Sequence, residues 1–334
     1  MSSGSVSREV VTLGSINVDS FISTARLPRE GETLSATQVT LLPGGKGANQ
    51  AACVGILDMC ASRFIGQIGK DHESLLRVAL ETSGVDISLM EQIPDLSTGS
   101  AFIFSLPSGE NAIVIVGGAN LAWFSPSAKA LEAVREGSIL LLQREVPESV
   151  NISAAKAADA AGVLVILDCG GEDAPLSPDL LSRIHVLSPN ETELERLTQS
   201  LDHQADTLER ARSLIGESGA QSILVKRGSR GALFVNGEGI VIDQPAFPLS
   251  EGEIVDSTGA GDCFTAAFAA ALIKSGRRLD DSSVVHACIT FACAAAAVCV
   301  QRPGAMPSMP RLQETVKILD TWGKRALCRD ILEA

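Results

Sequence analysis

The chain has 334 residues, 45% of them hydrophobic, and a formal net charge of −13 at pH 7. This acidity argues against nucleic acid or an anionic membrane surface as a partner, because both carry negative charge. The eight cysteines include no C-x-x-C pair and the four histidines have no zinc-binding spacing, so a zinc site is disfavoured.

The sequence predicts a cytoplasmic protein with reduced thiols. Residues Met1 to Glu9 are polar and lack the apolar core of a signal peptide. No uncharged apolar run reaches about 18 residues, and the longest candidate, Ala287 to Val300, is predicted to be a core helix. Most cysteines lie in apolar segments, which is typical of reduced thiols in a protein interior.

The first predicted element is a buried strand rich in β-branched residues, Val10 to Ile16. Asn17 and Asp19 follow it, on one side of an extended segment, because alternate residues share a face. Polar groups directly after a buried strand lie where open α/β sheets bind ligands. The alternative is that the two residues close a turn.

Two segments are predicted to form a small sheet apart from the rest. Gly31 to Leu42 alternates polar and apolar residues, which predicts a partly exposed antiparallel strand. Ser100 to Leu106 and Ala112 to Val116 flank a turn containing Pro and Gly, which predicts a hairpin. A small sheet from about 17–42 and 98–116 is interpreted as a lid.

From Gly137 onward, predicted strands and helices alternate, which indicates a doubly wound, mostly parallel α/β sheet with helices on both faces. We expect a single domain of residues 1–334 that carries the lid as an insertion. The predicted strands are Ser138 to Leu142, Val163 to Leu167 (ending in Asp168), His185 to Leu187, Ser222 to Val225, and a hairpin of Ala232 to Val235 with Gly239 to Ile242. The predicted helices are Pro147 to Ala161, one that ends at Leu197, Thr207 to Gly216, Asp262 to Ser275, Asp281 to Val300, and Ser308 to about Trp322.

A glycine-rich motif, Pro43 to Gln50, opens another predicted helix that continues to about Leu57. It lacks the G-x-x-x-x-G-K-S/T spacing of a Walker A loop. Glycines at a helix start leave backbone N–H groups accessible to a ligand, and Lys46 and Asn49 add side-chain donors. The motif therefore suits a polyhydroxy ligand or a phosphate.

A second glycine-rich stretch, Asp256 to Asp262, runs into an Ala-rich segment that is predicted to be a buried helix. Gly259 and Gly261 would let an anion approach the positive end of that helix. Asp262 would repel the anion, unless it takes a proton from a hydroxyl group that attacks phosphorus. The alternative is a turn whose Asp favours the helix dipole.

Polar residues recur at the predicted carboxyl ends of the strands, which suggests one continuous cleft. Those from the first part of the chain would bind hydroxyl groups, and the later glycines would bind phosphates. The positions are Asn17 with Asp19, Glu145, Asn190 with Glu193, Gly228 with Ser229, and Asp256 to Asp262.

Several short motifs occur in a fixed order along the chain. They are GSINVD at 14–19, GGKGANQAA at 44–52, GGAN at 117–120, PNETE at 189–193, GSRG at 228–231 and DSTGAGD at 256–262. On these motifs, the chain from Val10 to about Leu319 resembles the ribokinase-like family of sugar and nucleoside kinases, also called the PfkB carbohydrate kinase family. Its motifs look most like those of members that phosphorylate the 5-hydroxyl of D-ribose.

The resemblance implies ATP-dependent phosphorylation of D-ribose, with Mg²⁺ and K⁺ as further cofactors. It makes Asp262 the base that deprotonates the 5-hydroxyl, and Gly259, Ala260 and Gly261 the anion hole for the transferring phosphoryl group. The residues implied to bind the sugar are Asn17, Asp19, Gly45, Lys46, Gly47, Asn49, Glu145 and Asp262.

The resemblance also implies residues for the nucleotide and the metal ions. ATP would lie against Asn190, Lys226, Arg227, Gly228, Ser229, Gly231, Gly261 and Cys293, with Glu193 near Mg²⁺. The implied K⁺ site comprises Asp256, Thr258, Cys299, Arg302, Gly304 and Ser308, partly through backbone carbonyls.

Two residues depart from the family pattern. Lys226 stands where related kinases often have a small polar residue, so it could reach the phosphates of ATP or be solvated. Cys293 stands where a polar neighbour of adenine is frequent, which bears on base selectivity.

The substrate and the class of activity have alternatives. A kinase of 2-deoxyribose, another sugar or a nucleoside would share the same fold. A sugar-binding regulator without activity is a different class, which the intact Asp262 and its glycines disfavour. The resemblance further implies a homodimer joined through the lid sheets.

Overall fold

The structure, a computed structural model, describes residues 8–106, 111–199, 201, 202 and 204–334. Its strands, in chain order, are β1 Glu9–Leu13, β2 Asn17–Ser23, β3 Gln38–Gly44, β4 Ala61–Ile68, β5 Val85–Gln92, β6 Gly99–Ser105, β7 Asn111–Val116, β8 Ile139–Arg144, β9 Leu164–Gly171, β10 Val186–Ser188, β11 Ser222–Lys226, β12 Ala232–Asn236 and β13 Val241–Gln244. Its α-helices are α1 Lys46–Leu57, α2 Glu73–Thr82, α3 Ala128–Glu136, α4 Glu148–Ala161, α5 Pro178–Leu181, α6 Glu191–Leu197, α7 Thr207–Ser218, α8 Ala260–Lys274, α9 Ser282–Cys299, α10 Leu312–Thr321 and α11 Arg329–Glu333.

The main sheet has the strand order β13-β12-β11-β10-β9-β8-β1-β4-β5 within the described residues. The strands from β11 to β5 pair in parallel, and β12 and β13 add an antiparallel edge. After β1 the chain adds β4 and β5 on one side, and it then returns to add β8 on the other side of β1. The direction in which strands are added therefore reverses between β1 and β8. This confirms the expected doubly wound, mostly parallel sheet, whose ligands bind outside the carboxyl ends of the strands.

Helices cover both faces of the main sheet, because successive strand residues point to opposite sides. Val10 and Leu141 pack in one hydrophobic cluster with α8 and α9. Val11 and Leu140 pack in a second cluster with α3 and α4 on the other face. Strands buried on both faces need continuous apolar runs, such as β8.

Helix α9 is the element among the described residues with the length and hydropathy to cross a membrane. However, 78% of its apolar window is buried inside the protein, where it packs along α8. The alanines of both helices allow this close approach, so the predicted core helix is confirmed.

The small sheet has the strand order β3-β2-β6-β7 in the described part of the chain. β2 pairs antiparallel with β3 and parallel with β6, and β7 closes the hairpin with β6. The strand predicted from Gly31 begins only at Gln38 and continues to Gly44, beyond Leu42. The hairpin turn predicted at 107–110 lies outside the described residues.

The first predicted strand is wrong beyond Leu13, where β1 ends and the short segment 14–16 leads directly into β2. The carbonyl of Ser15 accepts a hydrogen bond of 2.9 Å from the N–H of Ala48. This pairing of Ser15 with the start of α1 replaces a continuation of the sheet.

Other predicted boundaries also shift. The last predicted helix starts at Leu312 rather than Ser308, because Pro310 keeps Met309 in an extended conformation and cannot donate a helical hydrogen bond. Asp168 lies inside β9, three residues before its end, and not after it. Six elements were not predicted from the sequence, namely β4, α2, β5, α3, α5 and α11.

Candidate active site

Asp262 is the third residue of α8 and is buried. Gly259 precedes the helix with φ 77°, and a Cβ there would lie 2.8 Å from the Cα of Ala305. Only glycine combines this left-handed backbone with such a close contact. The first-turn N–H groups of a helix have no intrahelical acceptor, so this start can bind an anion beside the carboxylate.

Both oxygens of the Asp262 carboxylate are held from α1. The Asn49 amide donates to Oδ2 at 2.9 Å, and the Gln50 amide donates to Oδ1 at 3.4 Å. Gln143, on β8, donates in turn to Oε1 of Gln50 at 2.8 Å. These bonds fix the orientation of a carboxylate that a substrate hydroxyl could approach.

The start of α1 packs directly on the segment between β1 and β2. A Cβ on Gly45 would lie 2.8 Å from the backbone N of Asn17, and one on Gly47 would lie 2.7 Å from the backbone N of Ser15. Glycine is therefore required at both positions for chain packing. The contact places Asn17, Asn49 and Asp262 around one cleft.

Oδ1 of Asp19 and Oδ1 of Asn49 are buried acceptors in this cleft that have no hydrogen-bond partner among the described residues. A buried oxygen without a donor is costly, so both favour a ligand that brings hydroxyl groups. Asn17 is already fixed, since its Oδ1 accepts a bond of 2.8 Å from Asn120. Glu145 accepts bonds from Ser15 Oγ at 2.6 Å and from the N–H of Lys46 at 3.0 Å.

The cleft concentrates negative charge. Burial, with the neighbouring charges of Glu145 and Asp262, raises the pKa of Asp19 to about 7. Burial raises the pKa of Asp262 to about 6, against the opposing effect of the Lys46 ammonium. Asp262 in turn raises the pKa of Lys46, which stays protonated. Asp262 is therefore a carboxylate that can accept a proton near neutral pH.

A cavity of about 380 Å³ opens on the other side of the α8 start. Gly228, Ser229, Gly231, Gly261 and Cys293 line it, with apolar walls from Phe247, Leu249, Phe264 and Val300. Its size and apolar walls suit the flat aromatic base of a nucleotide, whose phosphates would point toward the start of α8. Arg227 does not line the cavity, because its guanidinium pairs with Asp243 on β13.

Lys226 is largely buried, with 12% of its side chain exposed. It lines the cavity, and its Nζ lies 2.6 Å from Oδ2 of the buried Asp168. Burial raises the pKa of Asp168, but the ammonium groups of Lys226 and Lys46 outweigh it and hold the pKa below its ordinary value. The carboxyl group of Asp168 is therefore ionised.

Asn190 and Glu193 form a capping box at the start of α6. The Asn190 side chain accepts from the N–H of Glu193, and the Glu193 carboxylate accepts from the N–H and the amide of Asn190 at 2.8 and 2.9 Å. A β-bridge joins Asn190 to Lys226, so both residues stand at the same sheet end.

The segments predicted to bind K⁺ meet just before α8. Oδ1 of Asp256 accepts bonds from the N–H and hydroxyl of Thr258, and Oδ2 accepts one of 2.8 Å from the N–H of Gly304. Burial raises the pKa of Asp256, but these bonds outweigh it and lower the pKa overall. Cys299 lies 3.0 Å from Ser308, between sulfur and hydroxyl oxygen.

The structure thus brings the predicted residues to one edge of the main sheet, except for the side chains of two arginines. The side chain of Arg227 faces β13, and the side chain of Arg302 pairs with Glu314. Sequence reasoning missed Asp168, Gln50, Gln143 and Asn120 as parts of the cleft. Two sequence features could have identified some of them. Asp168 follows a predicted strand, and Gln50 and Asn120 belong to short motifs.

The chain belongs to the pfkB family of carbohydrate kinases, whose family model matches residues 7–312. This agrees with the fold and with the glycine-rich start of α8 beside the buried carboxylate of Asp262.

Three relatives are informative. The chain is 45% identical over 316 residues to the ribokinase of Arabidopsis thaliana, covering 93% of this chain and 80% of the relative. It is 32% identical over 311 residues to the deoxyribokinase of Salmonella typhi, covering 92% of this chain and 97% of the relative. The structure of Arabidopsis thaliana ribokinase complexed with ribose and ATP superposes with a TM-score of 0.85 at 42% identity, covering 94% of this chain and 99% of that one.

Proposed function

We propose that this protein phosphorylates the 5-hydroxyl of D-ribose with ATP, producing ribose 5-phosphate. The observation that carries the proposal is the buried carboxylate of Asp262 at the start of α8, with the buried, unpaired acceptors of Asp19 and Asn49 in the same cleft. The similarity to the ribokinase of Arabidopsis thaliana supports ribose as the sugar.

The sugar is held by hydroxyl contacts. Asp19 and Asn49 each offer a buried oxygen to a ribose hydroxyl. Asn17, Glu145 and the Gly45–Gly47 segment complete the sugar site. Ribose brings one more hydroxyl than 2-deoxyribose, and a site with buried acceptors discriminates against the sugar that leaves one unpaired.

Asp262 acts as general base. It accepts the proton of the 5-hydroxyl as that oxygen forms a bond to the γ-phosphorus of ATP and the bond from this phosphorus to ADP breaks. Asn49 and Gln50 hold the carboxylate while this happens. Gly259, Ala260 and Gly261 form the anion hole, where the helix start stabilises charge on the transferring oxygens.

ATP binds in the cavity of about 380 Å³ lined by Gly228, Ser229, Gly231 and Cys293. Asn190 and Lys226 stand at its phosphate end, joined by their β-bridge. Arg227 does not line this cavity, and its side chain pairs with Asp243, so it is left out of the proposed ATP site. The apolar sulfur of Cys293 places few polar constraints on the base, so we expect modest nucleotide selectivity.

Glu193 fits a role near Mg²⁺. Among the described residues, no group of three or more His, Cys, Asp or Glu side chains could hold a metal ion by itself. Mg²⁺ commonly uses one or two carboxylates together with substrate phosphates and water. Glu193 is held by Asn190 and keeps further lone pairs, so it suits this arrangement.

The loops around Asp256 fit K⁺. K⁺ would be held by the Asp256 carboxylate, by Ser308 and by backbone carbonyls of Thr258, Cys299, Arg302 and Gly304, in two segments that the bond from Gly304 to Asp256 joins. When bound, Mg²⁺ neutralises phosphate charge and K⁺ adds positive charge behind the anion hole.

We further propose that the small sheet is a lid over the sugar and joins two copies into a homodimer. On the face of the small sheet turned away from Asp19, Val39, Phe102 and Val114 are 60%, 38% and 55% exposed, which is unusual for apolar side chains that share one face. The eight free cysteines, seven of them buried, suit a reducing compartment and support a cytoplasmic location.

The test compares ATP consumption with ribose, 2-deoxyribose, fructose and adenosine as acceptors. We expect the highest kcat/KM with ribose. Faster turnover of another acceptor would show that ribose is not the preferred substrate, but it would leave the proposed kinase activity in place. Ribose binding without turnover of any acceptor would show a non-catalytic regulator.

A further inference from the structure

Lys226 occupies a position between the nucleotide cavity and the helix start. It is the last residue of β11 and the charged side chain among the described residues that line the cavity. Its Cδ and Nζ each lie 3.8 Å from the point that a Cβ on Gly261 would occupy. The ammonium group therefore stands beside the anion hole, at the phosphate end of the cavity.

Asp168 anchors this ammonium group. Its Oδ2 accepts from Lys226 Nζ at 2.6 Å, from the Thr265 hydroxyl at 3.0 Å and from the Gln50 amide at 3.4 Å, while Oδ1 accepts from the N–H of Gly170 at 2.9 Å. Asp168 is 1% exposed. A carboxylate bonded on both oxygens at such depth holds its partner in a defined place.

The pair links the two halves of the cleft. Gln50 bonds both Asp168 and Asp262, so the anchor of Lys226 and the proposed base share one amide. Thr265 belongs to α8, one turn beyond Asp262. Lys226 is thereby positioned relative to the base and not only to the nucleotide.

Lys226 retains capacity for a ligand. An ammonium group has three N–H donors, and within the described part of the chain Asp168 takes one of them. The remaining donors lie on the cavity side, next to Gly261. The ligand chemistry that matches donors of this charge, beside a helix start, is a phosphoryl oxygen.

We propose that Lys226 is a catalytic residue that donates hydrogen bonds to the phosphoryl group during its transfer, and that Asp168 is its positioning residue. This inference rests on the proposed kinase activity and adds a side-chain cation to the anion hole. The bond from phosphorus to ADP breaks and the bond to the acceptor oxygen forms, with the acceptor proton passing to Asp262. During the transfer, the ammonium group of Lys226 stabilises charge on the equatorial oxygens.

The competing explanation is that Lys226 only neutralises Asp168. The double substitution Asp168→Asn with Lys226→Met separates the two explanations, because it removes both charges and leaves neither buried alone. If Lys226 only neutralises Asp168, the double variant should regain turnover, because the charge that needed neutralising is gone. If Lys226 is catalytic, turnover should stay low, because the cation is still missing.

The experiment measures turnover of wild type, Lys226→Met and the double variant, with whichever of the four acceptors wild type uses fastest. We expect both variants to lose about 10²-fold or more in kcat. Lys156→Met is the matched control, since it removes a surface Lys–Asp pair of 2.8 Å with Asp179, and it should keep wild-type kcat. A preferred acceptor other than ribose would overturn the proposed substrate and leave this inference intact.

A binding measurement follows the same variants without turnover. The affinity for ADP alone is compared with that for ADP and aluminium fluoride in the presence of the acceptor, which mimics the transferring group. We expect Lys226→Met to weaken the second complex at least about tenfold more than the first. Recovery of kcat in the double variant to within about threefold of wild type, or equal weakening of both complexes, would overturn the inference.

Discussion

The side-chain amide of Asn49 lies 2.9 Å from Oδ2 of Asp262, joining the first turns of α1 and α8. One helix carries the proposed sugar-binding motif and the other carries the proposed anion hole. Asn49 leaves its Oδ1 without a partner among the described residues and also orients Asp262, so a sugar that bound Asn49 would be aligned with the proposed base.

Replacing the base tests this alignment. Asp262→Asn should lower kcat by about 10²-fold or more, because no carboxylate remains to accept the proton. Calorimetry should find ribose binding within a few-fold of wild type, since Asn17, Asp19 and Asn49 are unchanged. Asp179→Asn, on the surface, serves as control. Near-normal turnover of Asp262→Asn would reject the base assignment.

The pH profile should reflect two raised pKa values. With Asp19 at about 7 and Asp262 at about 6, protonation on the acid side removes first a hydroxyl acceptor and then the base. We expect kcat/KM for ribose to fall as pH drops below about 7, with a steeper loss below about 6. In Asp19→Asn only the lower step should remain. A flat wild-type profile from about pH 5 to 8 contradicts this prediction.

The buried carboxyl group of Asp19 should also lower the free energy of unfolding at neutral pH. Its pKa rises from 3.8 to about 7 on folding, so between these values the folded protein binds a proton that the unfolded chain lacks. Stability from this residue therefore declines as pH rises through the window and is lowest above about 7.

The free energy of unfolding of Asp19→Asn should accordingly exceed that of wild type at pH 8 by on the order of 2–4 kcal/mol, and this difference should vanish near pH 4. Its KM for ribose should rise. Denaturant titration of the ligand-free protein at both pH values measures the first effect. An equal change at both pH values would show that the charge of Asp19 is not the cause.

The proposed K⁺ site predicts an ion preference. Activity should fall when K⁺ is replaced by Na⁺ at constant ionic strength, and K⁺ should raise the melting temperature more than Na⁺, since a bound ion stabilises the folded state. Asp256→Asn should remove both differences. Identical behaviour of wild type in the two salts would eliminate the site.

The proposed dimer predicts a change of mass. Val114→Glu with Val116→Glu places two charges on the face of β7 that is turned away from Asp19, where alternate residues share a side. Sedimentation should give a dimer for wild type and a monomer for this variant. Val78→Glu, on α2 and 53% exposed, should remain dimeric. A monomeric wild type would exclude the dimer at the concentration used.

The alternation of strands and helices made the main sheet predictable, and its geometry then placed the polar strand ends together. Asp168 could not be assigned, because its partner Lys226 is 58 positions away and their meeting depends on the neighbouring strands β9, β10 and β11. The unpaired oxygens of Asp19 and Asn49 were likewise invisible, since satisfaction of a buried group depends on everything packed around it.

The passage from β1 to β2 has a mechanical consequence. Only residues 14–16 separate the rigid main sheet from β2, and Asn17 and Asp19 are the first and third residues of that strand. Any movement of the small sheet must therefore carry Asn17 and Asp19 with it. If Asp19 binds the sugar as proposed, the bound sugar also holds the small sheet in place, so that recognition of the acceptor and protection of ATP from hydrolysis would become one event.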